Sequence, residues 1–177
     1  MKQSLIRYGM IAVLVFVLVV STSSFAATST SYAFGMPVAL RLINENSLKA
    51  LSVSGGNKQA DGALIQQFTN VEADYQKWYL DYLGNGYCRI RNVGSGDLLD
   101  VSGASSSDGA NVIQWPNNYG WNQEWEIIQT GEKDLVKIKN RGSGKLLDMS
   151  GQSTSDGGQA IQWYDNGGHN QHWYLVP

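Results

Sequence analysis

The chain has 177 residues, with 13 Lys+Arg against 15 Asp+Glu, 20 Gly, six Trp and a single Cys. One cysteine excludes a disulfide-stapled scaffold, so a packed core must hold the fold, and the length is enough for one domain to bury it. A charged fraction of 16%, nearly balanced in sign, excludes the basic footprint of a nucleic-acid binder and the charge excess of a disordered chain.

Residues 1–26 read as an export signal. Lys2 and Arg7 precede eleven unbroken apolar residues, Met10 to Val20, and small residues at Ser24 and Ala26 place cleavage after Ala26. Eleven apolar residues are too few for the roughly 30 Å core of a bilayer, so a cleaved signal peptide and a secreted or extracytoplasmic protein are expected, with no membrane span after cleavage. Residues 27–37 form a short Ser/Thr-rich leader, and the chain without residues 1–26 carries a net charge near −4.

The rest is a repeat. Residues 89–127 laid over 137–175 give 22 identities in 39 positions without a gap. The shared skeleton is Asn-x-Gly-Ser-Gly-x-Leu-Leu-Asp (Asn92 to Asp100, Asn140 to Asp148), then Ser-x-Ser-Asp-Gly, Ile-Gln-Trp and Asn-Gln-x-Trp. A more diverged copy lies upstream, matching at offset 48 from Arg41 to Gly55 and at offset 47 from Asp61 to Trp78. The copies span about 38–82, 86–130 and 134–177. In the middle copy the turn chemistry isolates four short strands, Tyr87–Arg91, Asp97–Val101, Asn111–Trp115 and Gln123–Ile127. No stretch after residue 37 sustains a helical period over three turns, so the class is all-β. Three copies of four strands can stack as a solenoid or close on a pseudo-threefold axis, and closure removes exposed sheet edges.

The Leu-Leu-Asp, Gln-Trp and Asn-Gln-x-Trp motifs, repeated over residues 38–177, resemble those of the ricin B-type lectin family. The resemblance implies a β-trefoil of three repeats of about 47–48 residues and a carbohydrate-binding function, with glycans as partners. That family's frequent disulfides are absent, and Leu99 and Leu147 stand near where many members place a cysteine.

Trp78, Trp125 and Trp173 each follow a Gln by two positions in all three copies, which argues for core residues whose indole N–H finds an acceptor while the Gln amide bridges loop backbone. Asp100 and Asp148 end Leu-Leu strands, where a carboxylate is costly to bury without partners. Either could cap a turn, or could accept hydrogen bonds from two neighbouring sugar hydroxyls. Trp115 and Trp163 lie fifteen residues beyond those Asp residues in both copies. They could form a second core layer, or lie flat against the apolar face of a pyranose. In the resembled family an Asp, an aromatic and an Asn compose the sugar pocket, and the matching residues are Asp100, Trp115 and Asn122, and Asp148, Trp163 and Asn170, with Gln123 and Gln171 beside them. Trp121 and His169 occupy equivalent rim positions. Gln114 and Gln162 fall one step off the family's Gln-x-aromatic register, on the opposite strand face, and are doubtful ligands. In the first copy Ser52 replaces the Asp and Tyr75 the Asn, leaving Phe68 as the aromatic, so that pocket is expected to be weak or dead.

Catalysis is not expected. Each copy offers one Asp at its pocket, whereas glycoside cleavage needs two acids; H-E-x-x-H and G-x-S-x-G are absent from the sequence. His169 and His172 have no His or Cys partner in the pattern, so no metal and no cofactor are expected. The expectation is a monomeric, non-catalytic secreted lectin with two pockets. The competing readings are a secreted protein-binding or inhibitor module and a targeting partner of a separate polysaccharide hydrolase.

Overall fold

Each copy of the repeat lays down four strands. The computed structural model describes residues 37–56 and 60–177; the expected signal peptide and residues 27–36 of the leader lie outside the described residues. The first repeat contributes β1 (Arg41–Asn44), β2 (Ala50–Val53), β3 (Ile65–Phe68) and β4 (Trp78–Tyr82). The second gives β5 (Cys88–Asn92), β6 (Leu98–Val101), β7 (Val112–Trp115) and β8 (Trp125–Gln129), and the third β9 (Leu135–Asn140), β10 (Leu146–Met149), β11 (Ala160–Trp163) and β12 (His172–Val176). Among the described residues the only helical elements are five 3-10 turns.

The first and fourth strands of every repeat join in one ring. β4 pairs with β5, β5 with β8, β8 with β9, β9 with β12 and β12 with β1. Reciprocal bonds of 2.8 Å between the backbones of Leu40 and Trp78 close the circle from β4 to β1. The remaining strands form three hairpins, β2–β3, β6–β7 and β10–β11. They meet one another at Leu64–Ile113, Asn111–Ile161 and Gln66–Gln159. This is the β-trefoil, and closure rather than stacking is how the repeat disposes of its edges.

The core is built in triplets, one residue per repeat. Leu42, Ile90 and Ile138 are fully buried, as are Leu51, Leu99 and Leu147, and the three tryptophans Trp78, Trp125 and Trp173. Each indole N–H donates to a carbonyl of the Leu-Leu strand: Trp78 to Leu51 (3.1 Å), Trp125 to Leu99 (2.9 Å) and Trp173 to Leu147 (3.2 Å). Leu99 and Leu147 are fully buried, so packing rather than a covalent bridge holds the strands at these positions. In the second and third repeats the acceptor carbonyl belongs to the residue just before Asp100 or Asp148, so Trp125 and Trp173 also fix the strands that carry the carboxylates.

The middle-copy strands each begin one or two residues later than the sequence expectation, the last by two. Gln123 is not in the last strand; it closes a 3-10 turn, Trp121–Gln123, and β8 begins at Trp125. Gln76 and Gln171 sit in equivalent turns, Asp74–Gln76 and His169–Gln171. Leaving the strand frees each Gln amide to span the preceding loop.

Two further triplets stitch neighbouring repeats together. The Asn that opens the Gly-Ser-Gly motif is buried and donates backwards: Asn92 to the carbonyls of Tyr75 and Lys77, Asn140 to those of Asn122 and Glu124, and Asn44 to those of Asn170 and His172. Gln67 and Gln162 are also fully buried, and each donates to two carbonyls in the Ser-rich turn of the repeat before it around the ring, at Ser153 and Ser155 and at Ser105 and Ser107. Gln114 reaches Ala60 in the same way.

Candidate functional site

The second repeat folds around a cleft of about 350 Å³ whose wall includes Asp100, Ile113, Trp115, Asn118, Asn122 and the 3-10 turn Ser102–Ala104. Pairing of β6 with β7 sets Asp100 opposite Ile113. Trp115 closes β7, and Asn122 is delivered by the turn that precedes β8. The sequence-expected trio of Asp100, Trp115 and Asn122 is therefore brought to one concavity.

Asp100 is only 2% exposed, yet it is partnered. Asn122 Nδ2 donates to its Oδ2 at 2.8 Å and Asn118 Nδ2 at 3.4 Å. Burial raises the Asp100 pKa above the ordinary carboxylate value, and hydrogen bonds from Gln123, Asn122 and Asn118 pull it part of the way back. Among the described residues the donors to this carboxylate are side-chain amides rather than the backbone N–H groups of a turn cap.

The third repeat repeats the plan with one exchange of donors. Asp148, 3% exposed, faces Ile161 across β10 and β11. Here Gln171 Nε2 holds Asp148 Oδ2 at 2.8 Å, while Asn170 Nδ2 donates to the Met149 carbonyl at 3.1 Å. Burial lifts the Asp148 pKa to about 6, against the hydrogen bonds of Gln171 and Asn170.

Trp115 is 40% exposed and Trp163 half-buried, so neither forms the second core layer that the sequence left open. Each lies against a glycine of the preceding repeat's Asp-Gly turn. A Cβ on Gly62 would come to 3.4 Å from the Trp115 ring, and one on Gly109 to 3.4 Å from the Trp163 ring. Both glycines have φ near +80°, which the turn needs and side chains disfavour. Each platform is thus flush with the turn of the preceding repeat that supports it.

Gln123 and Gln171, expected beside the ligand, are fully buried. Each spans its rim loop with both ends of the amide. Gln123 accepts from Asn118 N (2.9 Å) and donates to Pro116 O (2.9 Å); Gln171 accepts from Asn166 N (3.1 Å) and donates to Tyr164 O (2.8 Å). Gln76 does the same between Val71 and Thr69. Gln162 and Gln114 are equally buried, in the inter-repeat clamps, in keeping with their register.

Two participants were not singled out from the sequence. Asn118 lines the second-repeat cleft, and its counterpart Asn166 recurs in the third; that recurrence was the available signal. Gly120 and Gly168 form a cradle. A Cβ on Gly120 would overlap the Oδ1 atoms of Asn122 and Asn118, and one on Gly168 those of Asn170 and Asn166. The first repeat carries Ala73 at this place and has no pocket Asn to collide with. There Ser52 is buried and, among the described residues, donates to the neighbouring Val53 carbonyl at 3.5 Å, and a Cβ on Gly56 would come to 3.7 Å from the Tyr75 ring. Phe68 keeps the aromatic without the carboxylate.

Trp121 is 60% exposed, with the Arg141 guanidinium 4.6 Å from its ring centre. His169 is also at the rim, but the fold adds a partner that spacing along the chain did not reveal, the Glu45 carboxylate at 2.9 Å. Cys88 is buried, and burial first, then the Asp81 carboxylate, pushes its thiol up to about 12, so it is the neutral thiol at neutral pH.

Comparison with known proteins agrees with this architecture. A family model described as ricin-type beta-trefoil lectin domain-like matches residues 34–115 and 121–177. A designed three-fold symmetric protein, ThreeFoil, is 42% identical over 78% of this chain and 98% of its own, with a TM-score of 0.76. An exo-β-1,3-galactanase from Clostridium thermocellum is 45% identical over 78% of this chain, with a TM-score of 0.73; the match spans only 30% of the galactanase chain. The ricin B-like lectin of Macrolepiota procera, solved in complex with lactose, shares the fold at 20% identity and a TM-score of 0.68, over 79% of this chain and 95% of its own.

Proposed function

The chain belongs to the ricin-type β-trefoil lectin domain-like family, and from that premise we propose that it is a secreted, non-catalytic lectin binding glycans reversibly at two clefts, one in the second repeat and one in the third. The observation that carries the reading is the recurrence of one constellation, Asp100/Trp115/Asn122 and Asp148/Trp163/Asn170, on matching elements of two repeats, and its replacement by Ser52/Phe68/Tyr75 in the first.

Chemistry divides the work. The carboxylate, steadied through Oδ2 by side-chain amides, accepts hydrogen bonds from adjacent sugar hydroxyls and sets which hydroxyl pattern fits. The indole face supplies apolar contact to the C–H side of the ring. Asn122 and Gln171 steady the two carboxylates, Asn122 and Asn170 donate to ligand oxygen, and Gln123 and Gln171 hold the rim loops in place. The second-repeat cleft has a single acid in its wall, which supports binding without hydrolysis. Two shallow sites on one polymer or surface reinforce each other by roughly 10²–10⁴ when geometry allows. Export rests on the residue pattern of positions 1–26.

The 45% identity to part of a galactanase makes galactose-containing glycans the first to test, and favours a role in attaching to polysaccharide. A glycan array including lactose and β-1,3-galactan should show binding that free sugar competes away. Absence of binding to every glycan by a folded protein would overturn the reading in favour of a protein-binding module.

The cradle offers a sharper check. Gly168→Ala should lower affinity at the third-repeat cleft at least tenfold, because the new methyl group displaces Asn170, with a stability loss of about 1–3 kcal/mol from overpacking. Titration of the variant in an Asp100→Asn background isolates that cleft; undiminished affinity there would remove Asn170 from the site.

A further inference from the structure

The three junctions between repeats share one backbone link that always gathers the same three side chains. Val93 N donates to Lys77 O at 2.9 Å, Arg141 N to Glu124 O at 2.8 Å, and Glu45 N to His172 O at 3.0 Å. With the residue three before the acceptor, these links assemble Asp74, Lys77 and Val93 at the first junction, Trp121, Glu124 and Arg141 at the second, and His169, His172 and Glu45 at the third. The first holds a Lys77–Asp74 ion pair, and the second an Arg141–Glu124 ion pair with the guanidinium stacked on Trp121. Only the third gathers three metal-ligating side chains.

There the ligating atoms all lie within 4.8 Å of one another. Glu45 Oε2 is 2.9 Å from His169 Nδ1 and 2.7 Å from His172 Nδ1. Zinc with two imidazole nitrogens and one carboxylate oxygen at about 2.0–2.2 Å needs tetrahedral ligand separations of about 3.3 Å. Lengthening the two Glu45–His contacts by roughly half an ångström, with the imidazole nitrogens, within 4.8 Å of each other, settling at the same separation, makes room for the ion. The Glu45 and His172 side chains are mostly buried, at 18% and 16% exposed, while His169 is 71% exposed and free to make that adjustment. The outer side is left for water as a fourth ligand. With Nδ1 on a metal, the His172 ring proton sits on Nε2, which has no partner among the described residues and shares a cleft with Asp165.

We infer that Glu45, His169 and His172 bind one divalent transition-metal ion of borderline softness, such as Zn²⁺, Ni²⁺ or Co²⁺. An N₂O set favours these ions over Ca²⁺ and Mg²⁺, which take oxygen ligands. The site bridges β12 of the last repeat and the turn after β1 of the first, which are paired strands. The ion therefore staples the seam at which the trefoil closes, and it does so independently of any glycan.

The test uses the untagged chain, stripped with EDTA and free of sugar. Titration with ZnCl₂ should show one equivalent bound and a melting temperature raised by about 5–10 °C at 100-fold excess over Kd. CaCl₂ and MgCl₂ should leave both readouts unchanged. His169→Ala, at an exposed position, and Glu45→Gln, which keeps the hydrogen-bonding shape, should each weaken Zn²⁺ binding at least tenfold and remove the thermal shift. Co²⁺ should give the visible absorption of a tetrahedral complex in the parent and not in His169→Ala. No saturable Zn²⁺ binding by the parent would overturn the inference, as would an unchanged response in both variants.

Discussion

Changing Asp100 and Asp148 together to Asn is expected to lower glycan affinity at least 100-fold at pH 7 while leaving the domain as stable as the parent, or more so. Binding falls because each cleft loses the charged acceptor that takes two hydroxyl hydrogen bonds, interactions roughly twice as strong as neutral ones. Stability holds for the opposite reason. Both carboxylates are buried, and burial raises the Asp148 pKa from 3.8 to about 6. Between those two values the folded state binds a proton that the unfolded state does not, so stability decreases as pH rises through the window and the full penalty is present above pH 6. For Asp148 it amounts to about 3 kcal/mol. Asn keeps an acceptor oxygen for Gln171 Nε2 and removes the charge. Thermal melts should therefore show the double variant at or above the parent at pH 7, with the two converging near pH 4. The same titration governs function: the third-repeat cleft should lose affinity as pH falls through about 6. A double variant that unfolds at pH 7 would mean the carboxylates hold the fold rather than the ligand.

The second large effect separates the tryptophans. Trp125→Ala should cost about 3–5 kcal/mol, because it opens a cavity in a filled core and strands the Leu99 carbonyl that the indole N–H satisfies. Trp115→Ala removes the same chemistry from a residue that is 40% exposed at the end of β7. Its effect on stability should stay within about 1 kcal/mol, while affinity at the second-repeat cleft falls about 10–100-fold. Denaturant melts and sugar titrations of the two variants check both halves. A Trp115→Ala variant as unstable as Trp125→Ala would return Trp115 to the core.

What the sequence made legible was whatever the repeat displayed. Trp78, Trp125 and Trp173 recur in all three copies and are core; Asp100, Trp115 and Asn122 recur in two and converge on one cleft. The residues whose contacts the motifs did not disclose share a different character. Gln123 and Gln171 recur as faithfully as their Asn neighbours, but their role depends on backbone atoms of the rim loop, at Pro116 and Asn118 and at Tyr164 and Asn166, and a motif does not say which way an amide points. The clamps by Gln67 and Gln162 join residues more than fifty positions apart. Gly120 and Gly168 look like turn formers until the space for a Cβ is seen to be filled by amide oxygens. Glu45 was invisible for the most direct reason: it lies in the most diverged copy, 127 positions from His172, and its counterparts Val93 and Arg141 share nothing with it chemically.

Calorimetric titration with the best monovalent glycan from the array measures the central claim as a count of sites. The parent should bind two equivalents, Asp100→Asn and Asp148→Asn one each, and the double variant none. A double variant that still binds two equivalents with parental affinity would contradict the account.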